Sequence, residues 1–303
     1  MTIWQETESL EHYMPGKKVS NLKLRILLIF VAVPLLFSTA IFLHYLNYLA
    51  IAVIAAFFIV SGTYETWKLF YGKYGTGDFI LVTIIAYSIP VIVYLESSNI
   101  LPYGTIFYYF GVLIFIIFIY QIFNRNENSY VDINKKTSSL LVILFYPGLF
   151  FSYTIRFSTL HYPSFAIILF LFLVFFNDIC AYVAGMFWGA NNRNVIPISP
   201  KKSLAGFIVG FLSSIAAVSG FYFVNPLFFA GKYHYALIVG IVIGITSIVG
   251  DLSESAMKRS ANTKDSGNVL PGRGGILDNI DSLIFSAPVF YFMIKYISNS
   301  AHI

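Results

Sequence analysis

The sequence predicts an all-α, polytopic membrane protein, and three observations carry that expectation. Only 11% of the 303 residues are charged, whereas 58% are apolar and 18% aromatic; a soluble domain usually has about 25% charged residues. With 19 basic and 14 acidic residues, a water-soluble body of this length could not cover its surface, and disorder requires the opposite balance. The apolar residues, rich in Phe (31) and Tyr (22), stand in long runs instead of alternating, which favours helices over an outer-membrane barrel. Finally, the basic residues sort to one side of a simple nine-helix map.

A spanning helix needs about 20 mostly apolar residues. The first expected span, 24–43, follows Lys17, Lys18, Lys23 and Arg25; it is too long for a cleavable signal, and further spans come after it. The second, 46–67, is separated from the first at His44–Asn47 and carries Glu65. The spans 79–95, 103–123 and 138–157 are bland. Polar clusters begin only in 163–188 and continue around 204–224, 234–257 and 279–297. No fixed repeat or low-complexity linker divides the chain. The expected organisation is a tail over 1–20 and one transmembrane domain over 21–303, with the catalytic portion in 163–303.

With the N-terminus placed in the cytoplasm, every Lys and Arg falls on the inner side except Arg156, Lys232 and Lys295. Such asymmetry is what the positive-inside rule requires, and a wrong span count would scramble it. The net charge of +5 therefore reflects membrane orientation and not nucleic-acid binding. Cys180 is the one cysteine, so neither an internal disulfide nor a cysteine metal site can form.

Three polar clusters converge on the cytoplasmic side. In the first, Asp178 lies inside the sixth span, where a bare carboxylate costs several kcal/mol unless paired, solvated or neutralised. Asn177 and Tyr182 are its candidate partners. Gly185 and Gly189 make one helix face small enough for close approach, which a simple packing seam would also explain. The second cluster is the loop Ser199-Pro200-Lys201-Lys202-Ser203. Ser199, or a hydroxyl beside it, can cap the helix that starts after Pro200. Two lysines and a helix N-terminus then form an anion site, whether for a substrate or for lipid headgroups.

The third cluster runs from Gly250 to Asp281. Asp251, Glu254, Ser255 and Lys258 share one helical face, and Arg259, Lys264 and Asp265 follow. Pro271-Gly272-Arg273-Gly274-Gly275 is a loop whose backbone can approach a ligand closely, and Asp278 and Asp281 start the last helix. Carboxylates among cations and glycines suit a metal-bound polyphosphate: oxygen ligands hold Mg²⁺ and the cations neutralise phosphate oxygens.

The stretch Ser255-x-Met257-Lys258-Arg259-x4-Lys264-Asp265-x-Gly267-x2-Leu270-Pro271-x-Arg273-Gly274-Gly275-Ile276-x-Asp278-x-Ile280-Asp281 resembles the signature of the phosphatidate cytidylyltransferases (CDP-diacylglycerol synthases). Two further pieces agree in order and spacing. Asp178…Ala181-Tyr182…Gly185…Gly189 is similar to the family's Asp-Thr-Gly-Ala-Tyr segment, and Ser199-Pro200-Lys201-Lys202-Ser203 to its Ser-Pro-Lys-Lys-Thr loop. The Glu65 neighbourhood is more weakly similar to the family's early helices. The chain departs from the pattern at Arg273 (usually His), at Asn279 (usually Arg) and at Leu204-Ala205 (usually Trp-Glu).

The resemblance implies the reaction CTP + phosphatidic acid → CDP-diacylglycerol + pyrophosphate. Asp251, Asp278, Lys258, Lys264 and Asp265 are then the expected catalytic residues. Asp251 and Asp278, with Asp281, are the expected ligands of Mg²⁺, and a second cation can stand beside it. Lys201, Lys202, Ser199, Arg259, Arg273, Asp178, Tyr182, Gly274 and Gly275 would bind substrate. Expected partners are CTP, phosphatidic acid or a similar anionic lipid, membrane lipids and a second copy of the chain. The site would face the cytoplasm of a bacterial inner membrane or an endoplasmic reticulum. Three alternatives stand beside this one. A related cytidylyltransferase could take a different lipid or alcohol phosphate. A CDP-alcohol phosphatidyltransferase would need further spaced aspartates after Asp281, and none follows. A transporter would be expected to repeat its polar features in both halves, and here they are confined to the C-terminal one.

Overall fold

A computed structural model describes residues 34–71, 79–123, 133–190, 192–267, 269 and 274–300. Among the described residues, eight helices are long and apolar enough to cross a membrane. They are α1 (Tyr45–Tyr71), α2 (Phe79–Ser97), α3 (Thr105–Phe123), α4 (Ile133–Thr159), α5 (Pro163–Trp188), α6 (Leu204–Val224), α7 (Tyr233–Ser260) and α8 (Leu277–Ser300). Each matches a span expected from hydropathy. The remaining span, 24–43, lies half outside the described residues, and within its described half 34–42 is helical. The tail 1–20 also lies outside them.

The separation expected at His44–Asn47 has a backbone cause. Leu46, Asn47 and Tyr48 have φ of 47°, 52° and 59°, so a regular right-handed helix starts only after Tyr48. The fourth span is not one uniform helix. Ile133–Ile143 is α-helical, Leu144–Phe150 is a π turn containing Pro147, Phe151–Arg156 is again α-helical and Phe157–Thr159 is 3-10. Proline has no N–H for the helical ladder, and a wider π turn is a recognised way of absorbing such an interruption.

The helices run up and down through short connections, so the ends of α1, α3, α5 and α7 meet the starts of α2, α4, α6 and α8 at one end of the bundle. The core is continuous, from Ile51 and Ile59 of α1 through Ile85 and Ile89 of α2 to Leu169, Ile243, Ile284 and Phe290. α5 packs on α6, α6 on α7, and α7 on α8; α8 also meets α1 and α4. In a bilayer, contacts of this kind rest on close packing instead of a hydrophobic drive, and glycine permits it. A Cβ on Gly250 of α7 would lie 2.7 Å from the Asp281 carbonyl oxygen and 3.0 Å from the Ser282 Cα. The expected small face of α5 is used in the same way. Gly185 and Gly189 receive Ser203, whose Oγ would stand 3.3 Å and 2.9 Å from added Cβ atoms.

The opposite end is closed by a buried ion pair. Arg156 Nη2 donates to Glu96 Oε1 at 2.8 Å, and both side chains are almost wholly buried. Glu96 also accepts from the N–H groups of Gly104 and Ile106, each at 2.9 Å, which fixes the start of α3.

Candidate active site

The site is built at the end of the bundle where α5 and α7 finish and α6 and α8 begin. Loop 192–203 is a compact turn structure, with Ser199 N donating to the Ile196 carbonyl and Lys202 N to the Ser199 carbonyl, both at 3.1 Å. The expected cap at Ser199 is corrected by one turn: α6 begins at Leu204, and Ser203 is its cap, with Oγ accepting from Gly206 N at 3.1 Å. Ser199 instead closes the preceding turn. Lys201 is exposed, whereas Lys202 reaches inward and pairs with Asp251 of α7. Arg259, exposed at the end of α7, donates from Nε to the Ile198 carbonyl at 3.4 Å, so it braces this loop.

Asp178 lies ten residues before the end of α5, roughly 15 Å along a helix. It is nonetheless exposed while closely surrounded by Asp251, Lys202, Ser247 and Ser282. Asp178 is thus a carboxylate held among charged and hydroxyl groups of α7, α8 and the 192–203 loop without being shut away by them. Its expected partners are corrected. Asn177 turns its amide to Ser214 Oγ at 3.0 Å and the Gly244 carbonyl at 3.3 Å, and Tyr182 is 63% exposed. Support for Asp178 comes from Ser247 Oγ at 3.5 Å. Asp281 is buried, accepts from Ser282 N at 2.6 Å and lies within electrostatic reach of Asp178, Asp251 and Glu254.

A second group of residues adjoins this one. Lys258 Nζ donates to Asp278 Oδ1 at 2.5 Å and also pairs with Glu254. Asp278 Oδ2 accepts from Gly275 N at 2.6 Å and Ser266 N at 3.0 Å. Lys264 and Asp265 are exposed at the start of the following loop, with Asp265 beside Gly274: an added Cβ there would lie 3.3 Å from the Asp265 Cβ. Gly274 has φ of +86°, a conformation that glycine adopts without strain. Asn279 donates to the Gly275 carbonyl at 2.7 Å. Arg273, Pro271 and Gly272 lie outside the described residues.

The expected trio of Asp251, Asp278 and Asp281 is thus divided. Asp251 and Asp281 belong with Asp178 and Lys202, while Asp278 belongs with Glu254, Lys258 and Ser266. Among the described residues no three carboxylate, imidazole or thiol groups form a ready-made metal cluster; Lys202 pairs with Asp251 and Lys258 with Asp278. Two carboxylates had not been counted among the functional residues. Glu254 shares the helical face of Asp251 and Lys258 and is fully buried. Glu65 of α1 reaches Ser266 and the start of α8. The signal that marked Asp178, a carboxylate within an apolar run, would have marked Glu65 as well.

Six carboxylates (Glu65, Asp178, Asp251, Glu254, Asp278 and Asp281) thus adjoin two ammonium groups, Lys202 and Lys258. Lys201, Arg259 and Lys264 lie outside them on exposed positions. Chemically, this is an anionic floor under a cationic rim.

The chain is 44% identical over 121 residues to an uncharacterized protein, YnbB, of Escherichia coli, covering 40% of this chain and 39% of that one. It is 40% identical over 118 residues to a phosphatidate cytidylyltransferase of Synechocystis, covering 39% of each. It is 35% identical over 178 residues to a phosphatidate cytidylyltransferase of Staphylococcus haemolyticus, covering 58% of this chain and 64% of the relative. The matched regions therefore span between about two fifths and two thirds of these relatives' own lengths. The profile of the Cytidylyltransferase family matches residues 23–297, nearly the whole chain. The chain belongs to the cytidylyltransferase family.

Proposed function

We propose that the protein is a phosphatidate cytidylyltransferase, joining CTP and phosphatidic acid to give CDP-diacylglycerol and pyrophosphate. The observation that carries this reading is the anionic floor and cationic rim at one end of an apolar helical bundle, with Asp178 accessible well inside it. A lipid would reach the site from the membrane and a soluble polyanion from the end of the bundle. The names of the Synechocystis and Staphylococcus relatives support the same reaction. The end carrying the site would face the cytoplasm, where CTP is available and where the basic residues belong.

In the reaction a phosphatidic acid oxygen attacks the α-phosphorus of CTP, and the bond to the β-phosphate oxygen breaks to release pyrophosphate. A phosphomonoester has its second pKa around 6, so the nucleophile is already largely ionised near neutral pH and needs no strong base. The barrier is repulsion between anions, and catalysis is mostly positioning and charge neutralisation.

The donor set suits Mg²⁺, a hard cation that takes oxygen ligands. The carboxylates outnumber their ammonium partners, and Glu254 Oε1 and Ser282 Oγ are buried without a hydrogen-bond partner. Asp251 and Asp281, which lie together beside Asp178, would hold one ion, and Asp278 in the adjoining group would bear on a second cation. Bound Mg²⁺ would neutralise phosphate oxygens of the nucleotide and of the departing pyrophosphate. Lys202 and Lys258 would leave their carboxylates for phosphate oxygens as substrate arrives, with Lys201, Arg259, Lys264 and Arg273 supporting the triphosphate from the rim. Asp178 would set the depth reached by the lipid headgroup. A turnover assay of the purified protein with CTP and Mg²⁺ tests the proposal. Pyrophosphate release is expected only when phosphatidic acid is added, and its absence with phosphatidic acid and other lipid phosphates alike would overturn it.

A further inference from the structure

α1 contributes to this end of the bundle a buried carboxylate that the reaction scheme does not use. Glu65 of α1 is 3% exposed. Its Oε1 accepts from Ile276 N and its Oε2 from Leu277 N, both at 2.8 Å. Ser266 Oγ lies 3.0 Å from Glu65 Oε2 and also 3.0 Å from Asp278 Oδ2, so this hydroxyl donates to one or the other. The N–H groups at the start of a helix have no partner within it, and those of α8 are taken by a carboxylate more than 200 residues earlier in the chain. The helix dipole favours negative charge at this position.

The loop is also shaped to the carboxylate. A Cβ on Gly275 would lie 2.4 Å from Glu65 Oε2, and one on Gly267 would lie 2.8 Å from Glu65 Oε1. The two glycines bring the backbone against Glu65 from both sides. Gly275 N and Ser266 N, the next donors along the same loop, go to Asp278. Asp278 in turn holds Lys258.

We infer that Glu65 is a positioning residue: it seats Ser266, Gly267, Gly275 and the first turn of α8, and so fixes Asp278 and Lys258 relative to α7. This rests on the proposed reaction for its catalytic consequence, but its structural half stands apart from that reaction. α1 is then part of the machinery and not only a membrane anchor.

The test pairs backbone hydrogen exchange with kinetics on the full-length protein in detergent. In Glu65→Gln the side-chain amide turns an N–H₂ toward one of the three donors, so amides in a peptide spanning 274–283 should exchange about tenfold faster. Peptides from α5 and α6 should be unchanged. The kcat for phosphatidic-acid-dependent pyrophosphate release should fall at least tenfold, with KM for CTP changing much less, and Glu65→Asp should recover part of both effects. Should Glu65→Gln not extract as folded protein, Glu65→Asp, which keeps the charge and shortens its reach, gives the same readouts. Unchanged exchange at 274–283 overturns the inference, and so does faster exchange with wild-type kcat. If wild-type protein itself releases no pyrophosphate, the proposed reaction fails. The exchange result then still decides whether Glu65 holds the loop.

Discussion

Replacing Gly275 by alanine places a single methyl group where the loop has no space for one. Its Cβ would lie 2.1 Å from Ser266 Oγ, 2.4 Å from Glu65 Oε2 and 2.7 Å from Glu65 Cδ, whereas ordinary contact begins near 3.4 Å. The backbone and these groups must therefore separate by about 1.3 Å. Rotating Ser266 removes its hydroxyl from the two carboxylates, and moving Glu65 weakens the bond from Leu277 N. Each hydrogen bond to a charged group contributes about 1.5–3 kcal/mol, and overpacking costs about 1–3 kcal/mol. Loss of one such bond together with the overlap amounts to roughly 2.5–6 kcal/mol at the start of α8. The loop relieves this by shifting, and a displacement of about 1 Å at a reacting group can lower turnover about 100-fold. The assay is pyrophosphate release per mole of folded protein, beside thermal unfolding in detergent. Gly220→Ala in α6 is the control, because nothing lies within 4 Å of its Cβ and alanine favours a helix interior by about 1 kcal/mol. Wild-type turnover in Gly275→Ala, with Gly220→Ala also normal, would refute the account of the loop.

Other outcomes follow from the same geometry. Asp278→Asn and Asp251→Asn should each abolish CTP-dependent transfer while leaving the protein extractable, as measured by turnover and size-exclusion profile; activity in either removes it from the set of metal ligands. Chelation of divalent cations should stop pyrophosphate release, and added Mg²⁺ should restore it. At the far end of the bundle, Glu96→Gln leaves Arg156 buried without its carboxylate, a change that costs about 3–5 kcal/mol. The midpoint of thermal unfolding should fall, while turnover per folded molecule at low temperature stays near wild type, since Glu96 lies away from the site.

Much of the fold is legible in the sequence because the bilayer imposes a length and a composition on every helix. The bounds of α5 and α6 follow hydropathy to the residue, and α7 and α8 extend only slightly beyond it. The left-handed turn at Leu46–Tyr48 falls at the break that His44–Asn47 marks, whereas the π turn at Leu144–Phe150 is a backbone adjustment within a continuous apolar run, where hydropathy does not change. The site is legible wherever its residues are close in sequence. The face shared by Asp251, Glu254 and Lys258 is an example, because helical periodicity alone places them together. Periodicity does not say which of these carboxylates ends up buried, and so Glu254 stayed in the background. Which helix end Ser199 or Ser203 would cap differed by a single turn, a choice made by the approach of Gly185 and Gly189. The pairing of Lys202 with Asp251 and of Glu65 with Ile276 and Leu277 is set by helix packing across the bundle, and no local pattern encodes it.

Glu65 grips main-chain N–H groups, and this has a consequence for how the protein can diverge. The side chains of Ile276 and Leu277 are free to vary among apolar types without disturbing the grip, since every residue but proline supplies the same donor. Covariation between position 65 and positions 276–277 is therefore not expected among relatives. Selection at this junction should appear instead as retention of an acidic residue at 65, exclusion of proline at 276 and 277, and retention of glycine at 275.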